Sequence, residues 1–414
     1  MNSRKNILFL TVSNLPTNPR LLKEIDLISK THIITVVLWK LRNWSDKINK
    51  QLIQDRPHIN FITLDASRNK LLQWFIWALI EKISRIIYPL SKSSLLINSL
   101  AHTRRSIQIL NTIKNIKEID GIIAHNLGAL FPAYYISKKR QIPFIYDIED
   151  YDAGIKVPQG GKYYKKYTEF LLKRCAQSAN ALTSASTLIG KYTLDLIGGH
   201  TNHHVILNSF PTSEFFEPKT NSEKSTIRFV WFSQTISFGR GLEQLFESFC
   251  LPNFNPNIKV HLTIIGNLDE DFNRKIIKPF QSRLTKIITL NISPPLPQNK
   301  LHKELSKYDI GLALEIGKDL NNKLAVSNKI IAYTQAGLYV LATNTMAQRH
   351  FIKDHPNIGI VSSSSPHDLS LIIKKIISNN TKIKANQLNR YKAAHKLSWE
   401  NEATKLINIW NSTF

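Results

Sequence analysis

LAVSNKIIAYTQAGLYVLAT, residues 324–343, is the stretch whose reading decides the fold. Ser327 and Asn328 are helix-starting residues, the apolar positions after them suit an amphipathic helix, and Gly337 supplies a stop. LYVLAT then reads as a buried strand. Just upstream, the strand-like run IGLALE ends on an acid, Glu315. Strand, loop and helix start in that order make one turn of an α/β domain. Unpartnered amides and the macrodipole favour an anion at such a helix start, and a diphosphate is the anion expected there.

The same rhythm extends in both directions. IRFVWF (227–232) is a strand, SQTISFGRG a loop, and LEQLFESF a helix with Leu242, Leu245, Phe246 and Phe249 on one face. KVHLTIIG, KIITLNI and DIGLALE are further strands. In the first half, NILFLTV (6–12), HIITVVLW (32–39), GIIAHN (121–126), PFIYDIED (143–150), NALTSAS (180–186) and HVILNS (204–209) are strands. A helix starts near Pro19 with Asn18 as N-cap and buries Leu21, Leu22, Ile25 and Ile28. Continuous apolar strands alternating with helices predict parallel sheets covered on both faces. PTSEFFEPKTNSEKST (211–226) reads as a linker. The expected domains are therefore 1–210 and 227–397, with a C-terminal helix, 398–414, packing back on the first.

Composition bounds the function. A chain of 414 residues exceeds one ordinary core. Cys175 and Cys250 form no metal-type pair and, each on a helical pattern, are expected to be buried free thiols. No leader and no bilayer-spanning run is evident, so a cytoplasmic location is expected. The net charge of +25 favours anionic partners. Its lysines are scattered and no nucleic-acid motif accompanies them, so nucleic acid is not an expected partner. LLQWFIWALIEKISRIIYPL (71–90) stands apart as an apolar, aromatic helix with Lys92 just beyond it. It suits an anionic membrane interface through 71–92, with Trp74 and Trp77 as anchors. Packing on its own sheet is the alternative.

FVWFSQTISFGRGLE, LTIIG, SPPLPQNKLHKEL, YDIGLALE and SNKIIAYTQAGLYVLAT, in this order, resemble the donor-binding half of glycosyltransferase family 4, the retaining GT-B enzymes. SNLPTNPRLLKE, IDGIIAHNLGALFPAYYISKK and IPFIYDIEDYDAG resemble its other half, so the likeness runs through nearly the whole chain. It implies an α/β GT-B fold of two tandem doubly wound, Rossmann-like domains facing across a cleft. It implies a hexosyltransferase moving a sugar from a nucleotide-diphosphate donor to a saccharide or lipid-linked acceptor in bacterial surface polysaccharide biosynthesis. No cofactor or metal is expected, and peripheral attachment at the inner face of the membrane would suit such an acceptor.

By that resemblance, Glu315 touches the donor sugar. Arg240 between Gly239 and Gly241, with Ser327, Asn328, Lys329 and Lys323, holds the diphosphate, because fixed positive charge and oriented N–H groups stabilise a departing anion. The second acid of the family's paired-glutamate motif falls on Ala332, which cannot accept a ribose hydroxyl; the strict spacing of eight from Glu315 lands on Lys323. On the acceptor side stand Asn18, Arg20, His125, Asn126 and Asp150, with Glu149 orienting the acceptor or handling its proton. Asp150-Tyr151-Asp152 and Asp269-Glu270-Asp271 imitate metal-binding triplets, and the second is read as supplying a helix N-terminus. Two rivals remain: a degenerate, non-catalytic sugar-nucleotide or lipid-binding assembly subunit, kept alive by Ala332, and a nucleotide-sugar 2-epimerase on the same fold.

Overall fold

A computed structural model describes residues 4–41, 43–66, 71–157, 161–218 and 223–414. Part of the expected linker, 219–222, and the lysine flanking the aromatic helix, Lys70, lie outside the described residues. Two compact units are present. One comprises Met1–Leu207, Asp319–Asn321 and Ala403–Phe414; the other comprises Asn208–Lys318 and Asn322–Glu402.

The first unit holds β1 (Asn6–Thr11), β2 (Ile33–Lys40), β3 (Asn60–Asp65), β4 (Gly121–His125), β5 (Phe144–Ile148), β6 (Ala181–Ser184) and β7 (His203–Val205). They form one parallel sheet in the order β3-β2-β1-β4-β5-β6-β7. Its central strands are apolar on both faces because helices cover both sides. The final helix, Trp399–Thr413, ends with the Phe414 ring over Gly121, where a Cβ would collide with that ring.

The second unit holds β8 (Thr226–Ile236), β9 (Lys259–Leu268), β10 (Ile288–Ser293), β11 (Ile310–Ala313), β12 (Tyr339–Thr343) and β13 (Gly359–Ser362), parallel in the order β10-β9-β8-β11-β12-β13. Phe229, Trp231, Leu262, Leu312 and Leu341 lie in its core, with Phe246 and Phe280 stacked 4.3 Å apart. In both sheets the strand order reverses beside the first strand, between β1 and β4 and between β8 and β11. Loops leaving the carboxyl ends of strands at such a reversal frame a crevice suited to ligands.

Several expectations are corrected. SQTI is no loop: β8 runs through it to Ile236, paired with β9 past a register shift between Phe232 and Thr235. β7 stops at Val205 and does not include 206–209. β3 and β13 are additional edge strands. The Pro19–Ile28 helix buries Arg20 and Glu24 along with Leu21, Ile25 and Ile28, while Leu22 is only half-buried. Cys175 is buried and Cys250 half-buried, both as free thiols.

Candidate functional site

In the second unit, the reversal point brings together the β8–helix turn, the exit of β11 and the start of the Asn328–Gln335 helix. Gly239 and Gly241 both have positive φ, 70° and 80°. At Gly241 a Cβ would collide with the Leu314 carbonyl oxygen, so only glycine lets this turn rest on the β11 exit. Gly239 N–H donates to Glu243 Oε1 at 2.6 Å, and the space above Gly239 is bounded by Lys318 Nζ. Arg240, between them, is exposed.

Glu315 follows β11. Its Oε1 accepts from Lys329 Nζ at 2.8 Å, in a pair whose side chains are 24% and 17% exposed. Lys329 Nζ also lies 5.7 Å from the Trp231 ring centre. This cation–π contact limits where the ammonium can sit. The Gln348 amide satisfies its surroundings with its nitrogen toward Ala313 O and Glu315 Oε2, at 3.0 and 3.2 Å. Thr343, at the end of β12, donates to Glu315 O at 2.5 Å. Ser327 caps the helix by accepting from Ile330 N, leaving the first amides without intrahelical partners. Asn328 and Lys323 are exposed. Ala332 is fully buried, on a helix whose Tyr333 ring fills the space a Cβ on Gly311 would need.

In the first unit, the reversal point holds a buried ion network. Arg20 grips both oxygens of Asp147, Nε to Oδ2 and Nη2 to Oδ1 at 2.6 Å each, and donates to Ile206 O at 2.5 Å. Glu24 lies 3.6 Å from Arg20 Nε. His125 is fully buried, its Nδ1 3.0 Å from Glu149 Oε1 and its Nε2 3.4 Å from Glu24 Oε2. Asn18 caps its helix by accepting from Leu21 N and donates to Glu149 Oε1 at 2.6 Å. Asn126, with φ 69°, accepts from the Thr11 hydroxyl. Burial alone disfavours the imidazolium, but Glu24, Asp147 and Glu149 together outweigh it and raise His125 well above its ordinary range. Burial also opposes the Asp147 carboxylate, and Arg20 and His125 outweigh it, holding that carboxyl well below its usual range.

Glu24, His125 and Asp147 have one ligand-type atom each within 4.8 Å of one another. Both Asp147 oxygens are already held by Arg20, and the Thr183 hydroxyl donates to one of them. A cation there would compete with a guanidinium and an imidazolium, so this donor set does not fit a metal. Of the triplets, Asp269 caps a short helix at Glu270–Phe272, while Asp150 is exposed and accepts from Asn321.

The structure thus gathers Glu315, Lys329, Ser327, Gly239 and Gly241 in one unit and Asn18, Arg20, His125, Asn126 and Glu149 in the other. Arg20, His125 and Asn18 are all buried, whereas Glu149 is half-buried. Gln348, Thr343 and Glu24 are additions that the sequence reading lacks. For Glu24 the available signal is its i,i+4 spacing from Arg20; for Gln348 and Thr343 the sequence offers none.

Solved structures share this chain's fold. HepE of Anabaena in complex with UDP and glucose superposes with a TM-score of 0.63 at 15% identity, over 99% of this chain and 100% of that one. The fold is the GT-B fold. A glycosyltransferase from Rickettsia africae ESF-5 matches with a TM-score of 0.64 at 12% identity, over 99% of each chain. Sucrose-phosphate synthase from Thermosynechococcus elongatus gives the same score, identity and coverage. No protein-family model and no curated protein matches the sequence.

Proposed function

We propose that this GT-B protein is a retaining, metal-independent glycosyltransferase. It moves a sugar from a nucleotide-diphosphate donor to a saccharide or lipid-linked acceptor in surface polysaccharide assembly. The observation that carries the reading is the Glu315–Lys329 pair, set at the β8/β11 reversal beside a capped helix start and the Gly239–Gly241 turn. The likeness to HepE, solved with UDP and glucose, supports a UDP-sugar.

In the reaction, the bond from the anomeric carbon to the diphosphate oxygen breaks, and the acceptor oxygen bonds to that carbon. The acceptor proton passes to the departing phosphate. Lys329, Arg240 and the free amides of Asn328 and Lys329 stabilise the charge that grows on the leaving group. Glu315, steadied by Lys329 and Gln348, orients the sugar. Glu149, held by Asn18 and His125, orients the acceptor.

Buried Ala332 favours one second reading, a sugar-nucleotide-binding subunit without turnover, because no acid stands there to hold a ribose. Donor hydrolysis by the purified chain separates the two. Hydrolysis that disappears in Glu315→Gln and Arg240→Gln supports the enzyme, and donor binding without turnover in any lipid extract supports the subunit. Conversion of the donor to its 2-epimer without acceptor would instead indicate an epimerase.

A further inference from the structure

The helix Leu71–Ile87 has two unlike faces. Leu72, Phe75, Ile76, Leu79, Ile83 and Ile86 recur at three- and four-residue spacing along one side. All are exposed, Leu72 at 75% and Phe75 at 60%. Leu90, just beyond, is 91% exposed. The opposite side carries Trp74, Trp77, Ser84 and Arg85, turned toward the helices at 95–102 and 104–113, where Arg85 donates to Ala101 O. The tryptophans expected as anchors therefore face inward, and leucine, isoleucine and phenylalanine form the outer stripe.

A monomer seldom leaves such a continuous apolar row in water. Exposed Lys82 lies at the margin of the stripe and exposed Lys92 follows its end. The chain carries +25 overall. A second copy of itself is therefore repelled at long range, while an anionic surface is attracted.

Beneath the inward face is a cavity of about 640 Å³ at the carboxyl ends of β2 and β3. Trp39, Trp74 and Trp77 line it with Asp65, Arg104 and Arg105. Arg104 lies over the Trp74 ring and Arg105 over Trp39, at 5.0 and 5.2 Å. Among the described residues neither guanidinium is paired with a carboxylate; Arg105 donates to Val12 O. Glu81, the nearby acid, is taken up by Arg85 and by the Arg104 amide. Burial and then the neighbouring Arg104 pull Arg105 below its ordinary range, as expected where two cations share a partly buried space. Such a pair of guanidinia suits a phosphate. Flat indole faces suit a sugar ring.

We infer that the Leu72–Leu90 stripe seats on an anionic bilayer and that the cavity behind it takes the phosphate-linked ring headgroup of a lipid in that bilayer. This rests on the glycosyl-transfer reading only for its meaning as an acceptor subsite. Its test measures binding alone, so a failed transferase assay leaves it standing or falling by itself.

The experiment is flotation of the full chain with three kinds of vesicle. One is phosphatidylcholine alone, and the second adds phosphatidylglycerol. The third adds the same proportion of phosphatidylinositol, whose inositol is a phosphate-linked ring. Wild type floats with both anionic mixtures, at least twofold more with phosphatidylinositol, and stays down with phosphatidylcholine. The combined change Leu72→Ser, Phe75→Ser, Leu79→Ser lowers flotation at least fivefold without lowering the melting temperature. Arg104→Gln keeps phosphatidylglycerol flotation and erases the phosphatidylinositol advantage. Wild type remaining at the bottom, or floating equally after the triple change, overturns the membrane assignment, as does a dimer that the triple change converts to monomer. Equal flotation with the two anionic lipids overturns the headgroup assignment. Quenching of tryptophan fluorescence by glucose 1-phosphate in solution, without that lipid advantage, overturns the lipid source in favour of a free sugar phosphate.

Discussion

Lys329 Nζ lies 2.8 Å from Glu315 Oε1, joining the first turn of a helix to the exit of β11. The pair fixes an acid and a cation at one end of the second sheet, with Gln348 holding the other carboxylate oxygen. Glu315 would otherwise be a loop residue free to swing.

Lys329→Met should therefore hurt chemistry more than folding. Donor turnover falls on the order of a hundredfold, the usual scale for losing one group that stabilises a developing charge. Stability in urea changes by about 1 kcal/mol or less, because the pair is partly exposed. Initial rates beside urea midpoints check both numbers; a large loss of stability with normal turnover would assign the pair a structural role only.

Gly241→Ala adds both a left-handed strain and a clash with Leu314 O. It should destabilise the second unit by about 2–3 kcal/mol. Gly198 has a similar φ, 85°, with open space around it. Gly198→Ala should therefore cost about 1 kcal/mol. Equal urea midpoints for the two variants would contradict the close approach of the turn to β11.

His125 should carry its proton at neutral pH. Its folded pKa is raised above the unfolded value, so the stability it contributes is fully present below about pH 6.5 and is lost as pH rises through the folded pKa. Nitrogen shifts of the ring read the protonation state directly. Glu24→Gln removes one of the carboxylates responsible, and the titration should move to lower pH.

His102 has the opposite sign. Burial and then Arg85 lower it to about 4. With the folded pKa below the unfolded one, its contribution is complete above the unfolded value and declines as pH falls from there toward the folded one. His102→Gln should flatten the acid limb of a plot of urea midpoint against pH.

Much of this architecture is legible in the residues. The strands β1, β2, β4 and β5 are continuous apolar runs because parallel strands are buried on both faces, and Asn18 before Pro19 announces its helix as a cap should. The edge strands β3 and β13 lack such a run because neither is buried through its length. Ser233 and Gln234 interrupt the apolar pattern of β8, and pairing with β9 beyond them carries the strand on. In the helix Leu71–Ile87 both faces are apolar, so periodicity could not say which one meets solvent. Glu315 and Lys329 are visible as candidates, but their contact, and the insertion of Glu24 beneath His125, arise only when the chain folds.

Ala332→Glu tests whether this position can hold an acid. Ala332 is fully buried. An unpaired carboxylate there should cost about 2–4 kcal/mol of stability in the absence of donor. A variant as stable as wild type, measured by urea unfolding, would show that the site already offers the acid a partner.

The most direct test is release of nucleoside diphosphate from a panel of nucleotide sugars, followed in wild type and Glu315→Gln. At least one UDP-hexose should raise the melting temperature of both proteins and be turned over by wild type about a hundred times faster. If no nucleotide sugar stabilises the wild-type chain and none is consumed, with or without lipid extract, the glycosyltransferase reading is contradicted.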